Sequence, residues 1–228
     1  MLKRKSNIIL VLLLVFVFAG CSSQKDIDIN KEVEENVISA QKADYEEDIY
    51  ALYNLPLDIM SSFVIDNDKA YMNGIISKDT IRQVKELISN YPQVKTIVMQ
   101  NVDGSIDDES NLIASRLVRE AGLNTYVPAD GSIASGGTDF FCAGVKRNIE
   151  DGAEIGVHSW GGDDIENATS LPKDHEAHKP YIKYYEEMEL PDPEGFYFFT
   201  IYAADAENIY NMTRDELIKY GLISEDIN

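Results

Sequence analysis

Basic charge is what this 228-residue chain has least of: 20 Lys and Arg stand against 40 Asp and Glu, for a net charge of −20. So acidic a surface excludes nucleic acid as a partner, excludes docking on anionic lipid through side chains and, without a local basic patch, disfavours strongly acidic substrates. Cysteine is nearly absent, at two residues, and tryptophan occurs once. There is no long internal repeat and no low-complexity tract, which removes solenoid and tail-like architectures. The G-x-S-x-G elbow of α/β-hydrolases is missing, because Ile133 stands where its first glycine belongs ahead of Ser135. The zinc-protease pattern H-E-x-x-H is missing too. His175 and His178 in the segment DHEAH are one residue too close for it, so no metal is expected and the segment reads as a solvated helix face.

No apolar run reaches the ~20 residues that a spanning helix needs. The most continuous one covers residues 8–18, follows Lys3, Arg4 and Lys5, and leads into Phe18-Ala19-Gly20-Cys21. A positive start, a short apolar stretch and small residues at its end read as a secretory signal. Small residues before a lone cysteine resemble the lipobox of bacterial lipoproteins. That resemblance implies that Cys21 becomes a lipidated, palmitate-bearing first residue on the extracytoplasmic face of the cell membrane. Cys142 then has no partner for an internal disulfide. It lies in the apolar run Phe140-Phe141-Cys142-Ala143 and is expected to be a buried structural thiol. The expected organisation is a signal over residues 1–20, an acidic tether over 21–50 and one domain over 51–228. Loss of the three leader cations takes the charge from −20 to about −23.

Within the domain, strand and helix patterns alternate. Residues 62–65 and 70–76 read as strands around the turn Asp66-Asn67-Asp68. Ser77 or Asp79 caps a helix with Ile81, Val84, Leu87 and Ile88 on one face. A β-branched strand covers 96–99. Asp107 or Asp108 opens a helix with Leu112, Ile113, Leu117 and Val118 inward, closed by Gly122. Strands follow at 125–127 and 154–158, with a helix beginning near Ser135 between them. Helices are expected over 33–53, 174–188, 196–210 and 215–220. Strands alternating with helices imply an α/β fold built on a mainly parallel sheet.

Chemistry is concentrated in DGSIASGGTDFFCAG, residues 130–144, and in EIGVHSW, residues 154–160. Ser135 sits where a helix starts, so the unpaired N–H of Gly136 and the positive helix end lie beside it. A serine needs a base to act as nucleophile. His158, at the end of an apolar strand, projects from the carboxyl edge of the sheet, where ligands of parallel sheets bind. Trp160 reads as a pocket wall or a loop anchor. The tyrosines Tyr181, Tyr184 and Tyr185 read either as a partner surface or as amphipathic packing.

The residues Gly131, Ser135, Gly137, Phe140, Phe141, Ala143 and Gly144, followed by Arg147 and Ile155-Gly156-Val157-His158, resemble the ClpP/crotonase superfamily. Among its members, secreted ClpP-like proteins are the nearest in pattern. The resemblance covers roughly residues 70–159 and implies a spiral of ββα units with a Ser135–His158 catalytic pair. It also implies an oxyanion hole from the N–H of Gly136 and a backbone N–H near Asp103-Gly104, where the family carries two glycines and this chain keeps the second. The family's aspartate falls, without gaps, on Ile209; Asp205 is the first choice for the orienting acid and Asn208 the second, and a pair without a third member is the remaining option. No cofactor is implied. The implied function is a lipid-anchored serine hydrolase, a peptidase acting on peptides or another acyl compound. The reading from a different class is an inactive ClpP-like interaction or scaffold lipoprotein. Partners are the membrane through the Cys21 lipid, the substrate and a second copy of the chain; no ATPase partner is expected outside the cytoplasm.

Overall fold

The computed structural model describes residues 59–161, 165 and 167–224. The expected signal, Cys21, the tether and the helix over 33–53 lie outside the described residues. No helix among the described residues is long and apolar enough to cross a membrane.

Strands β1 (Ser62–Asp66) and β2 (Lys69–Asn73) form an antiparallel hairpin. Its turn holds Asn67 at φ 54, a region that asparagine tolerates better than most side chains. Helix α1 (Asp79–Asn90) buries Thr80, Val84 and Leu87. Strand β3 (Thr96–Val102) leads to α2 (Asp108–Glu120), whose N-cap Asp107 accepts the N–H of Ser110 at 2.8 Å. Strands β4 (Asn124–Val127) and β5 (Ser132–Ala134) precede α3 (Gly136–Cys142). Strands β6 (Arg147–Ile149) and β7 (Glu154–Val157) follow it. The last elements are α4 (Lys179–Glu187), α5 (Pro193–Ala203), β8 (Tyr210–Asn211) and α6 (Arg214–Lys219).

The sheet forks at β3. The first half of β3 pairs in parallel with β4, which pairs with β6. Its second half pairs in parallel with β5, which pairs with β7. β4 and β5 are thus two halves of one course of chain, bent by the turn in which Gly131 N–H donates to the Pro128 carbonyl at 2.8 Å. β6 and β7 repeat the bend. Only β1 and β8 run antiparallel to their neighbours. The α/β class with a mainly parallel sheet is therefore the one observed. The fork matters because β3, β5 and β7 end side by side.

Several expectations shift. The strand expected to run on to residue 76 ends at Asn73, because Gly74 turns away at φ 94. β3 runs three residues past Met99. Lys78 holds the N-cap position of α1, so neither Ser77 nor Asp79 caps it through its side chain. Ile113 is exposed, since Leu112, Ala114 and Val118 already carry the inward face of α2. The helix expected over 196–210 stops at Ala203, and Tyr210 pairs with Val157 as strand. The helix expected over 174–188 is a short 3-10 turn, Glu176–His178, followed by α4, with Pro180 in its first turn.

Arg147 belongs to β6 and is buried. Its Nη1 lies 3.0–3.3 Å from the carbonyls of Cys142, Gly144 and Met188, and its Nε donates to Gly221 at 3.1 Å. A cation at the carboxyl end of α3 is favourably placed for the helix dipole. Cys142 is buried as expected, and burial raises its thiol pKa to about 12, which keeps it inert.

Candidate active site

The register of β3, β5 and β7 brings three separate parts of the sequence together. Val102 faces Ile133, Ile133 faces Ile155, and Ala134 faces Gly156. One or two residues further on, the chain presents Gly104, Ser135 and His158 at one sheet edge.

Ser135 links β5 to α3 with φ 53 and ψ −127. Positive φ is uncommon for a residue with a side chain and costs of the order of 1–3 kcal/mol. The conformation is held from both sides. Ser135 N–H donates to the Gly156 carbonyl at 3.1 Å, and its own carbonyl accepts Thr138 N–H at 2.8 Å. The sequence lacks the G-x-S-x-G elbow, yet the backbone makes a sharp strand-to-helix turn at this serine. Although Ser135 occupies the N-cap position, its side chain makes no capping hydrogen bond. The hydroxyl is left for something else.

Two glycines stand beside Ser135. Gly104 has φ 152, and a methyl group on it would come within 3.7 Å of Ser135 Oγ. A methyl group on Gly136 would meet Ser105 Oγ at 2.3 Å. Gly136 is the first residue of α3, so its N–H has no partner within the helix. Asn111, fully buried on α2, donates from Nδ2 to the Gly136 carbonyl at 2.8 Å and fixes that peptide. Sequence reasoning did not find Asn111; a lone asparagine on a helix carries no signal until its partner is known. Asp103 is exposed and does not line the pocket next to Ser135.

That pocket, a cavity of about 40 Å³, is lined by Ser135 and His158 together. Its remaining walls include Asp108, Asp139, Trp160 and the tyrosines 181, 185 and 197. Trp160 is thus a pocket wall and also an anchor, since its Nε1 donates to Tyr197 Oη at 2.9 Å. Tyr184 and Tyr185 are buried, and Tyr181 stacks between Trp160 and Tyr197 at centroid distances of 5.8 and 5.7 Å. These aromatics are packing rather than a free surface.

Not every expected site residue joins. His158 Nδ1 is buried and has no hydrogen-bond partner among the described residues. Asp205 is exposed, and its Oδ1 accepts from Glu207 N–H at 3.1 Å and from Asn208 Nδ2 at 2.7 Å, closing its own turn. Both candidates for the orienting acid are engaged with each other. Ile209 lies against the edge of β7, with its Cγ2 2.6 Å from where a Gly156 methyl would be. An apolar side chain thus stands at the ungapped position of the acid.

His178, expected on a solvated face, is buried beside the pocket. Its Nε2 faces the Pro172 carbonyl at 3.1 Å, which can only accept, so in the neutral ring Nε2 carries the proton. Nδ1 therefore accepts from Tyr197 Oη at 2.6 Å.

Asp139, one helical turn beyond Ser135, is the pocket residue that sequence reasoning passed over. Its Oδ1 accepts from Tyr185 Oη at 2.5 Å. Burial chiefly, with repulsion from Asp108, pushes its carboxyl up to about 7, against the pull of the Tyr185 hydrogen bond. An unfolded aspartate titrates near ~3.9. Between those values the folded chain holds a proton that the unfolded chain has released, so stability is full below about 4 and falls as pH rises towards 7. The shift corresponds to at most ~4 kcal/mol, and contact with the open pocket reduces it to about 2. Asp139→Asn keeps the acceptor for Tyr185 and cannot ionise. It is expected to be about 2 kcal/mol more stable than the native chain at pH 8 and within ~0.5 kcal/mol of it at pH 4, by urea unfolding at both values. An equal difference at both pH values would show that Asp139 does not titrate in this range.

No family model and no curated protein matches the chain. Among solved structures it is similar to a 1510-N membrane-bound stomatin-specific protease in complex with a substrate peptide. The identity is 14% and the TM-score 0.46, over 71% of this chain and 75% of that one. It is also similar to an enoyl-CoA hydratase from Bacillus anthracis, at 11% identity and TM-score 0.45, over 72% and 68% of the two chains. For human enoyl coenzyme A hydratase domain-containing protein 3 the values are 9% and 0.45, over 72% and 69%.

Proposed function

We propose that this protein is a ClpP-like serine hydrolase, anchored by a lipid on Cys21 at the extracytoplasmic face of the membrane and acting on peptides or another acyl compound. The observation that carries this reading is the state of Ser135: a strained backbone at a strand-to-helix turn, a hydroxyl released from capping, and a pocket shared with His158.

In this reading Ser135 Oγ attacks the acyl carbon while His158 takes its proton, and the carbonyl oxygen becomes an oxyanion. The N–H groups of Gly136 and Gly104 receive that charge. His158 then returns the proton to the leaving group, and water repeats the sequence on the acyl-enzyme. Each oxyanion donor is worth about 10²–10³ in rate. Among the described residues no carboxylate reaches Nδ1, so the pair lacks the charge that stabilises the imidazolium in a complete triad.

The same unpartnered Nδ1 favours a second reading, in which the fold survives as an inactive, membrane-tethered interaction protein. Labelling with a fluorophosphonate separates the two. The hydrolase reading expects labelling of the native chain that vanishes in Ser135→Ala and falls at least tenfold in rate in His158→Ala. Absence of Ser135-dependent labelling in folded protein would leave the scaffold reading standing.

A further inference from the structure

The pocket beside Ser135 has an unusual hydrogen-bond inventory. Tyr181 Oη donates to Asp108 Oδ2 at 2.7 Å, and Tyr185 Oη donates to Asp139 Oδ1 at 2.5 Å. Trp160 Nε1 donates to Tyr197 Oη, and Tyr197 Oη donates to His178 Nδ1. Thr200, also in the wall, donates to the Tyr197 carbonyl at 2.7 Å. Every N–H and O–H of these wall side chains is therefore engaged. What faces the cavity from them is carboxylate oxygen and hydroxyl lone pair. Among the described residues no lysine or arginine lines the cavity to balance Asp108 and Asp139. His158, whose Nδ1 is buried with no partner among the described residues, also lines the cavity.

Apart from the Ser135 hydroxyl and the one N–H of the His158 ring, the wall offers acceptors, and it suits a ligand that donates. An ammonium group has three donors, no acceptor and a positive charge. The cavity, at about 40 Å³, has room for such a head group and little more. There is an electrostatic reason as well. Above about pH 7, where Asp139 is ionised, an oxyanion forming on a Ser135 substrate would share the pocket with two carboxylates, and its cost falls if the substrate brings a cation to lie between them.

We infer that this pocket binds a primary ammonium group, and that the acyl donor attacked by Ser135 carries a free amine on its acyl side. The donor's amine lies against Asp108 and Asp139, while its carbonyl faces Gly136. The substrate part of this inference rests on the hydrolase reading; the ammonium site does not.

Trp160 is the chain's one tryptophan and part of the wall, so its fluorescence reports occupancy. The probe is ethylammonium chloride, compared with ethanol at the same concentration and with tetraethylammonium chloride, whose cation is too large for the cavity, at the same ionic strength. Ethylammonium is expected to change Trp160 emission saturably and to slow fluorophosphonate labelling of Ser135 at least fivefold. Ethanol and tetraethylammonium are expected to do neither, and Asp139→Asn is expected to weaken the ethylammonium response at least tenfold. If all three solutes act alike, or none acts, the ammonium site is overturned, and this comparison on the native chain decides it even if the variant fails to fold. Labelling of Ser135 without selective ethylammonium protection overturns the site and leaves the hydrolase. A selective, saturable Trp160 response without any labelling overturns the hydrolase and leaves the site.

Discussion

Ser135→Ala is expected to lower hydrolysis of an activated ester by about 10²-fold, not by the roughly 10⁶-fold seen when the serine of a complete triad is removed. The difference comes from His158. In a complete triad, loss of the acid alone costs about 3 × 10⁴ of a total near 2 × 10⁶, which leaves a factor of about 10² for serine and histidine acting without it. Here Nδ1 has no partner among the described residues and Asp205 is engaged in its own turn. The chain thus starts from the reduced level. Steady-state turnover of a p-nitrophenyl ester by the native and variant chains measures the ratio. A loss near 10⁶-fold would show that an acid reaches His158 once substrate is bound. A loss of less than threefold would show that Ser135 carries no chemistry.

Arg147→Ala is expected to destabilise the domain by about 3 kcal/mol, an order-of-magnitude figure built from orphaned carbonyls at ~1–3 kcal/mol each. The guanidinium is buried, and it reaches four carbonyls from separate parts of the chain. Gly144 keeps a second donor, since Arg119 Nη1 also reaches it at 3.0 Å. The carbonyls of Cys142, Met188 and Gly221 lose theirs. For a domain of this size the melting temperature should fall by about 10 °C, read by circular dichroism. Arg147→Lys keeps the charge but not the planar fork, so about half of the loss is expected to remain. A fall below 2 °C for the alanine variant would show that water replaces the guanidinium at no cost. Burial lowers the pKa of Arg147, and the surrounding carbonyls favour the charged form that they bind.

Elements with a clear period were legible in the sequence. The inward residues Val84 and Leu87 of α1 and the β-branched start of β3 stood out because each repeats over several turns or residues. β5 and β6 did not, because three residues are too few to display an alternation. Ile113 was misplaced for a geometric reason. Neighbours on a helix point about 100° apart, so Leu112 and Ile113 cannot both lie at the centre of one face. The aromatic run in 196–203 is apolar on all sides, so its pattern holds no signal for where the helix stops.

The same division runs through the site. Strand order alone placed Ser135 and His158 at carboxyl ends of parallel strands, because short crossovers and a right-handed chain leave few other arrangements. The meeting of Gly104, Ser135 and His158 required the fork in β3, which sets β5 and β7 beside its second half. Strain at Ser135 depended on bonds from Gly156 and Thr138. The hydrogen-bond pattern of the pocket depended on partners still more distant in sequence: Tyr185 lies 46 residues from Asp139, and Tyr181 lies 73 from Asp108. Local periodicity reads which face of an element is buried. It holds no information about which hydroxyl will meet which carboxylate across a core, and that meeting is what gave the DGSIASGG turn a charged pocket of its own.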